Sequence, residues 1–395
     1  MNIILVSSMF PPIRTGTSFY CRNLARTLAA RGHKVVVVTV ANAEPWHETL
    51  PFEVVRLPAI HVPVRNYFKH FRMASLFPSN YTRLSAILRQ RNADVVLLVN
   101  HYLDIAFPAI FAARRNRIPL VCSVGTPLYT PNPLRRRILK FLDRLICGNL
   151  VFPFCDRIIA WDSNILEYLH DVHGKRFAGR EAIVLYSVNG NESNFISHEH
   201  DYTLHGQILC VGAVIEQRDY VPMVLAFQEI AADFPSLRLK IIGHVYYDAA
   251  VRLAAELGLG DRVQFVGEQP HERVMDELRH SDAFFASLSG KYLGMGTATV
   301  ESMLMGVPTL CNVTEDHLGG PILRDMEHIV ITRGLEPGFI ADRLRQILGD
   351  SSLRQRIGQG GRDFVSKHLS WDKVVIDMEA LLFSVVQTKQ KGAEW

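Results

Sequence analysis

The stretch that most constrains this chain runs from Ala283 to Pro308. An apolar run, Ala283-Phe-Phe-Ala-Ser-Leu288, is followed by Gly290-Lys-Tyr-Leu-Gly-Met-Gly-Thr-Ala-Thr-Val-Glu-Ser-Met-Leu-Met-Gly-Val-Pro308. The run reads as a buried strand, and Thr297 to Met305 reads as a helix. Gly294 and Gly296 free the backbone to approach a ligand, and the amides of Met295, Gly296 and Thr297 stand at the positive end of the helix dipole. That makes an anion site. Glu301, one turn into the helix, points back to the same end, where a carboxylate accepts hydrogen bonds from a sugar diol. A nucleotide diphosphate satisfies both features. The alternative is a strand-to-helix turn whose glycines only permit tight packing, with Glu301 solvated on the helix surface.

At 395 residues the chain exceeds one ordinary core, so two domains are expected. Strands are predicted at Met1–Ser8, Lys34–Val40, Phe52–Leu57, Asp94–Val99, Leu120–Val124, Arg157–Trp161 and Ala182–Tyr186, with helices between, the first from Phe19 to Ala30. Alternation of this kind builds an open parallel sheet, whose ligand crevice lies at the carboxyl ends of its strands. Asn100-His101 and Gly125-Thr126 fall at two such ends. Gly190 and the polar run to Thr203 read as a hinge, dividing 1–200 from 201–369. The second part repeats the pattern from Gln207–Val211 onward. Ser370-Trp371 then opens a final helix over 370–387.

Gly-x-Gly followed by Glu-Ser-Met-x-x-Gly-Val-Pro resembles the donor-site signature of retaining GT-B glycosyltransferases of family 4. The opening segment is similar to that family too, with Pro11-Pro12, Gly16, and Arg31-Gly32-His33 ahead of the second strand. The resemblance spans essentially the whole chain. It implies a GT-B fold, two doubly wound Rossmann-like α/β domains facing across a cleft, the first on the acceptor side and the second holding the nucleotide-sugar donor. It implies a retaining, metal-independent transfer of a sugar from a nucleotide diphosphate sugar to a hydroxyl of a lipid-linked or glycan acceptor, with no cofactor. On this resemblance Arg218 and Lys291 serve the departing diphosphate, and Gly16, Thr17, Gly212, Gly243, Gly294, Met295, Gly296 and Thr297 border the donor. Glu301 binds ribose. His101 and Gly125 lie on the acceptor side.

The sequence departs from the family pattern in four places. Thr17 stands where a second glycine is usual, Gly125 where a His is, and Ala213 where an Arg is. Leu293 replaces the acid that precedes the glycines. Lys291, Glu315 and Asp316 are the polar residues near enough in sequence to replace that acid. These departures leave a catalytically silent GT-B protein, binding a nucleotide or a partner glycosyltransferase, as the alternative. An epimerase on the same fold is a third reading.

Net charge is only +4, but it is unevenly spread: residues 1–206 hold 24 Lys+Arg against 14 Asp+Glu, and 207–395 hold 19 against 25. The front part therefore faces something negative, an anionic lipid or a phosphorylated acceptor. Nucleic acid is not expected, since no binding motif accompanies the charge. Two segments are amphipathic. In His61–Leu76, Arg65, Lys69 and Arg72 recur at helical spacing. In Leu134–Ile146, Arg135, Arg136, Arg137 and Lys140 accompany Ile138, Phe141 and Leu142. Both fit either an anionic membrane surface or a solvated helix with snorkelling Arg. No run is apolar enough to span a bilayer, and the chain enters a strand at once, so a cytoplasmic protein, peripheral on the inner membrane face, is expected. The six scattered cysteines read as buried thiols, with no metal site.

Overall fold

Val, Ile and Leu runs make the strands, and a short polar side chain starts several of the helices. The computed structural model describes residues 1–13, 15–42, 48–62, 71–130, 132–188, 199–288 and 290–393. They fall into two compact units, Met1–Ser187 with Trp371–Trp395, and Val188–Ser370. The hinge expected around Gly190 lies outside the described residues.

In the first unit β1 (Asn2–Val6), α1 (Gly16–Ala30), β2 (Lys34–Val40) and β3 (Glu53–Leu57) are followed by a short ribbon, β4 (Ile60–His61) with β5 (Arg72–Met73). Then come α2 (Pro78–Gln90), β6 (Val95–Val99), α3 (Ala106–Asn116), β7 (Leu120–Val124), α4 (Pro133–Leu150), β8 (Arg157–Ala160), α5 (Ser163–His173) and β9 (Glu181–Ile183). The sheet order is β3-β2-β1-β6-β7-β8-β9, parallel throughout. Its central strands are buried on both faces, which explains why Val95–Val99 carries no alternation. Strand order reverses between β1 and β6, and the crevice of such a sheet lies there, at the carboxyl ends.

The second unit contains β10 (Gln207–Val211), α6 (Val221–Ile230), β11 (Arg238–Ile242), α7 (Ala249–Glu256), β12 (Val263–Gly267), α8 (His271–Arg279) and β13 (Ala283–Ala286). It closes with α9 (Thr297–Leu304), β14 (Thr309–Cys311), β15 (Val330–Ile331), α10 (Pro337–Gly349) and α11 (Ser351–His368). The order β12-β11-β10-β13-β14-β15 is again parallel throughout, with the reversal between β10 and β13. Phe227, Phe285, Ile241, Leu310 and Leu344 are among the side chains of its core.

Helix α12 (Trp371–Ala393) belongs to the first unit, where it packs on α1. Glu379 accepts from Arg31 Nε and meets His33 Nε2, both at 2.8 Å. Trp371 lies 5.8 Å from Tyr20 between ring centroids. The Arg-Gly-His turn after α1 thus serves to hold the last helix. All six cysteines are buried and none is disulfide-bonded.

Two sequence expectations need correction. Helix α1 begins at Gly16 rather than Phe19, because the Thr15 side chain accepts from the Ser18 amide and starts it earlier. Gly16 and Thr17 therefore occupy the first helical turn. The helical spacing expected in His61–Leu76 does not hold at its ends: Ile60 pairs with Met73 and His61 with Arg72 in an antiparallel ribbon. Arg72 also donates to Asn42 Oδ1 at 2.6 Å. Arg65 and Lys69 lie outside the described residues.

Candidate functional site

In the second unit, β10 and β13 deliver the chain to the strand-order reversal. Gly243 stands beside Gly212 so closely that a Cβ on it would lie 2.1 Å from the Gly212 carbonyl oxygen; only glycine fits. After Gly212 the chain folds back, the Arg218 amide donating to the Ile215 carbonyl at 2.8 Å. This return lays the Arg218 guanidinium over the glycines. Its Nη1 would be 2.7 Å from a Cβ on Gly212, and its Nη2 3.8 Å from one on Gly296. Among the described residues no carboxylate pairs with Arg218. Gly296, at φ 80°, precedes α9 with no side-chain cap, so the first-turn amides have no side-chain acceptor. A guanidinium beside uncapped amides at a helix start suits a doubly charged anion.

Glu301 is more enclosed than a solvated helix residue: its side chain is 7% exposed, and Oε1 lies 3.1 Å from His271 Nε2. That contact raises the His271 pKa above the ordinary histidine value; burial opposes the rise, and Glu272 adds to it. Sequence reasoning missed His271, which opens α8 and has no spacing relation to the glycine turn. Lys291 is exposed, with Nζ 4.5 Å from the Tyr292 ring centroid. Leu293, at the position where the resemblance led one to expect an acid, lies against Gly290. Glu315 and Asp316 are both exposed, and Thr314 Oγ1 donates to Asp316 at 2.7 Å. Gly294 and Thr297 are half-buried and the Met295 side chain is buried.

In the first unit Asn100 joins the start of α1 to the chain after β6 and β7 at the corresponding reversal. It is fully buried, its Nδ2 donates to Thr17 Oγ1 at 3.3 Å, and its Oδ1 accepts from the Gly125 amide at 3.1 Å. Thr17 thus supplies a hydroxyl at the position where the resemblance led one to expect a glycine. A Cβ at Gly125 would lie 2.3 Å from Trp161, whose Nε1 donates to Ser123 Oγ at 2.8 Å and whose ring is 4.2 Å from Tyr20. The indole occupies the room that a His there would need.

His101, expected beside the acceptor, is buried in the first unit instead, its side chain 0% exposed. It lies 3.4 Å from Asp143 Oδ1, and His173 lies 3.5 Å from Asp143 Oδ2. Tyr168 also donates to Asp143. Burial alone would raise the Asp143 carboxyl, but the two histidines outweigh it and hold the group below the usual carboxylate range. Cys147 joins them, and the candidate ligand atoms of His101, Asp143 and Cys147 lie within 4.8 Å of one another. Nothing in the sequence spacing brings His101 to α4.

Helix α4 turns this cluster inward and its greasy side outward. Asp143, Cys147 and Gly148 are its buried residues. Leu134, Ile138, Phe141, Leu142, Leu145, Ile146 and Leu150 are all exposed, Phe141 at 63%. Arg135, Arg136, Arg137 and Lys140 share the exposed surface. No helix among the described residues is long and apolar enough to cross a membrane.

Residues 14–183 match the family described as Glycosyltransferase Family 4, and residues 201–364 match Glycosyl transferases group 1. The D-inositol 3-phosphate glycosyltransferase of Nocardia farcinica is 24% identical over 87% of this chain and 79% of its own. An uncharacterised glycosyltransferase of Methanocaldococcus jannaschii is 23% identical over 94% of this chain and 95% of its own. Among solved structures, sucrose-phosphate synthase from Thermosynechococcus elongatus superposes with a TM-score of 0.71 at 17% identity, covering 98% of this chain and 99% of that one.

Proposed function

Because the chain belongs to glycosyltransferase family 4, with the GT-B fold, we propose that it transfers a hexosyl group, with retention, from a nucleotide diphosphate sugar to a hydroxyl of a lipid-linked or glycan acceptor. The observation that carries this reading is Arg218, lying across Gly212 and toward Gly296 beside the uncapped start of α9, with no carboxylate partner among the described residues. Family membership makes the chain a glycosyltransferase; the finer chemistry is our inference.

In this scheme the bond between the anomeric carbon and the diphosphate oxygen breaks, and a bond from the acceptor oxygen forms on the same face. The acceptor proton passes to the departing diphosphate. Arg218 and the amides of Met295, Gly296 and Thr297 hold the negative charge that grows there, which is the largest lever such a site has. Lys291 adds a second cation at the mouth of the loop. Glu301 accepts from the ribose diol, and Gly243 borders the base. No metal is assigned to the reaction.

The exposed face of α4 supports an acceptor held at a membrane. Apolar side chains in the midst of four cations suit an anionic surface, each cation contributing roughly 1 kcal/mol. A peripheral location on the cytoplasmic face follows from this reading.

A catalytically silent protein is the second reading. Leu293 against Gly290 and Trp161 against Gly125 favour it, because both places usually carry a group that touches the transferred sugar. Measuring free nucleotide released from a panel of nucleotide-diphosphate sugars, with and without lipid-linked acceptors and chelator, separates the two. Release from one donor, increased by acceptor and indifferent to chelator, is expected. Binding of a nucleoside diphosphate with no release from any donor would leave the silent reading.

A further inference from the structure

The first unit has a cavity of about 900 Å³ that has no part in the site above. It opens at the amino ends of β6, β7 and β8, where Asp94, Pro119, Leu120, Asp156 and Arg157 line it. Ligand crevices of open parallel sheets lie at the other end, beside Asn100 and Gly125 in this unit. The end of α3 supplies Arg114 and Arg117, and α12 supplies Val385, Val386 and Lys389.

The lining is basic, and its acids are already engaged. Asp94 Oδ2 accepts from the Asn2 amide at 2.6 Å. Asp156 accepts from the Leu120 amide at 2.9 Å and from Lys389 Nζ at 3.1 Å. Arg180, also in the lining, donates to the Cys155 carbonyl at 2.9 Å. Among the described residues Arg114, Arg117 and Arg157 meet no carboxylate. Arg114 instead lies 5.2 Å from the Phe154 ring centroid, which fixes a guanidinium at the rim of the apolar floor. Ile118, Leu120, Phe154, Val385 and Val386 make that floor.

We propose that this cavity binds an organic phosphate, its phosphoryl oxygens held by Arg114, Arg117 and Arg157 and its carbon body on the floor formed with α12. Guanidinium forks suit phosphate oxygens in paired fashion, and the volume suits a ligand of mononucleotide size. A bound ligand would tie the end of α12 to the amino edge of the sheet. The proposal is independent of the donor site.

Calorimetric titration with phenyl phosphate and with inorganic phosphate tests it, using the whole chain, an Arg114→Gln/Arg117→Gln variant and Arg218→Ala. The cavity predicts tighter binding of phenyl phosphate than of inorganic phosphate. The double variant should lose about tenfold in phenyl phosphate affinity, as expected for lost charge-assisted contacts. Arg218→Ala should retain that binding. Equal affinity for the two probes, a double variant that binds as the parent does, or loss confined to Arg218→Ala would overturn the proposal. Both exchanged arginines are exposed, so folding is not at risk.

Discussion

At the residue scale, Glu301, the acid proposed to bind ribose, is held by a single histidine. It lies almost out of water, yet its neighbour His271 is 43% exposed and keeps one oxygen engaged. Because the His271 pKa is raised in the folded protein, the pair stabilises fully below the unfolded histidine value, about 6.5. That contribution is lost as pH rises through the raised value. His271→Gln should therefore lower the melting temperature more at pH 6 than at pH 8.5; a difference that does not change with pH would show that the ion pair contributes nothing. Glu301 itself was legible in the sequence, because one helical turn separates it from Gly296. His271 was not, since contact across two helices leaves no trace in spacing. The same holds at Gly125: the missing side chain was visible, but the indole that excludes it comes from the adjacent strand end. His101 misled for the opposite reason. A residue just after a strand can turn toward the ligand or into the core, and Asp143 drew it inward.

At the element scale, apolar periodicity located almost every strand, because parallel strands buried on both faces read as continuous Val, Ile and Leu. Helix starts were less clear where a cap such as Thr15 precedes weakly apolar residues. Helix α4 reverses the usual rule by burying Asp143 and exposing Phe141, which composition alone could not distinguish from an ordinary amphipathic helix. The membrane role proposed for it predicts sedimentation with anionic vesicles and little with neutral ones. Changing Arg135, Arg136, Arg137 and Lys140 to Gln should abolish it, and 1 M salt should weaken it, since the Debye length falls to about 3 Å. Equal recovery with both vesicle types would leave a soluble acceptor. Helix α12 is held differently, by Glu379. Burial would raise that carboxyl, but Arg31 and His33 outweigh it and depress its pKa. Its contribution is present above the unfolded glutamate value, about 4.3, and is lost as pH falls through the depressed value. Glu379→Gln should cost about 2 kcal/mol at neutral pH, a typical figure for hydrogen bonds to a charged group. The difference should close in acid; a constant one across thermal melts from pH 7 to pH 3 would contradict the pairing.

At the scale of the whole molecule, two parallel sheets each reverse strand order once, and each reversal gathers residues that the sequence separates widely. In the second unit the reversal brings Gly212, Gly243, Arg218 and Gly296 together, a set spread over nearly half of that unit. The overall architecture was legible because strand and helix alternate twice along the chain. What the altered positions do could not be read from the sequence, since Leu293 and Gly125 are defined by what packs against them. The central claim is that the second unit binds a nucleoside diphosphate through Arg218 and the start of α9. Calorimetric titration of a nucleoside diphosphate into the parent chain and Arg218→Ala tests it most directly. The account predicts a loss of about 2 kcal/mol in the variant, roughly thirtyfold in Kd. Affinity within about twofold of the parent, a difference of only about 0.4 kcal/mol, would contradict it.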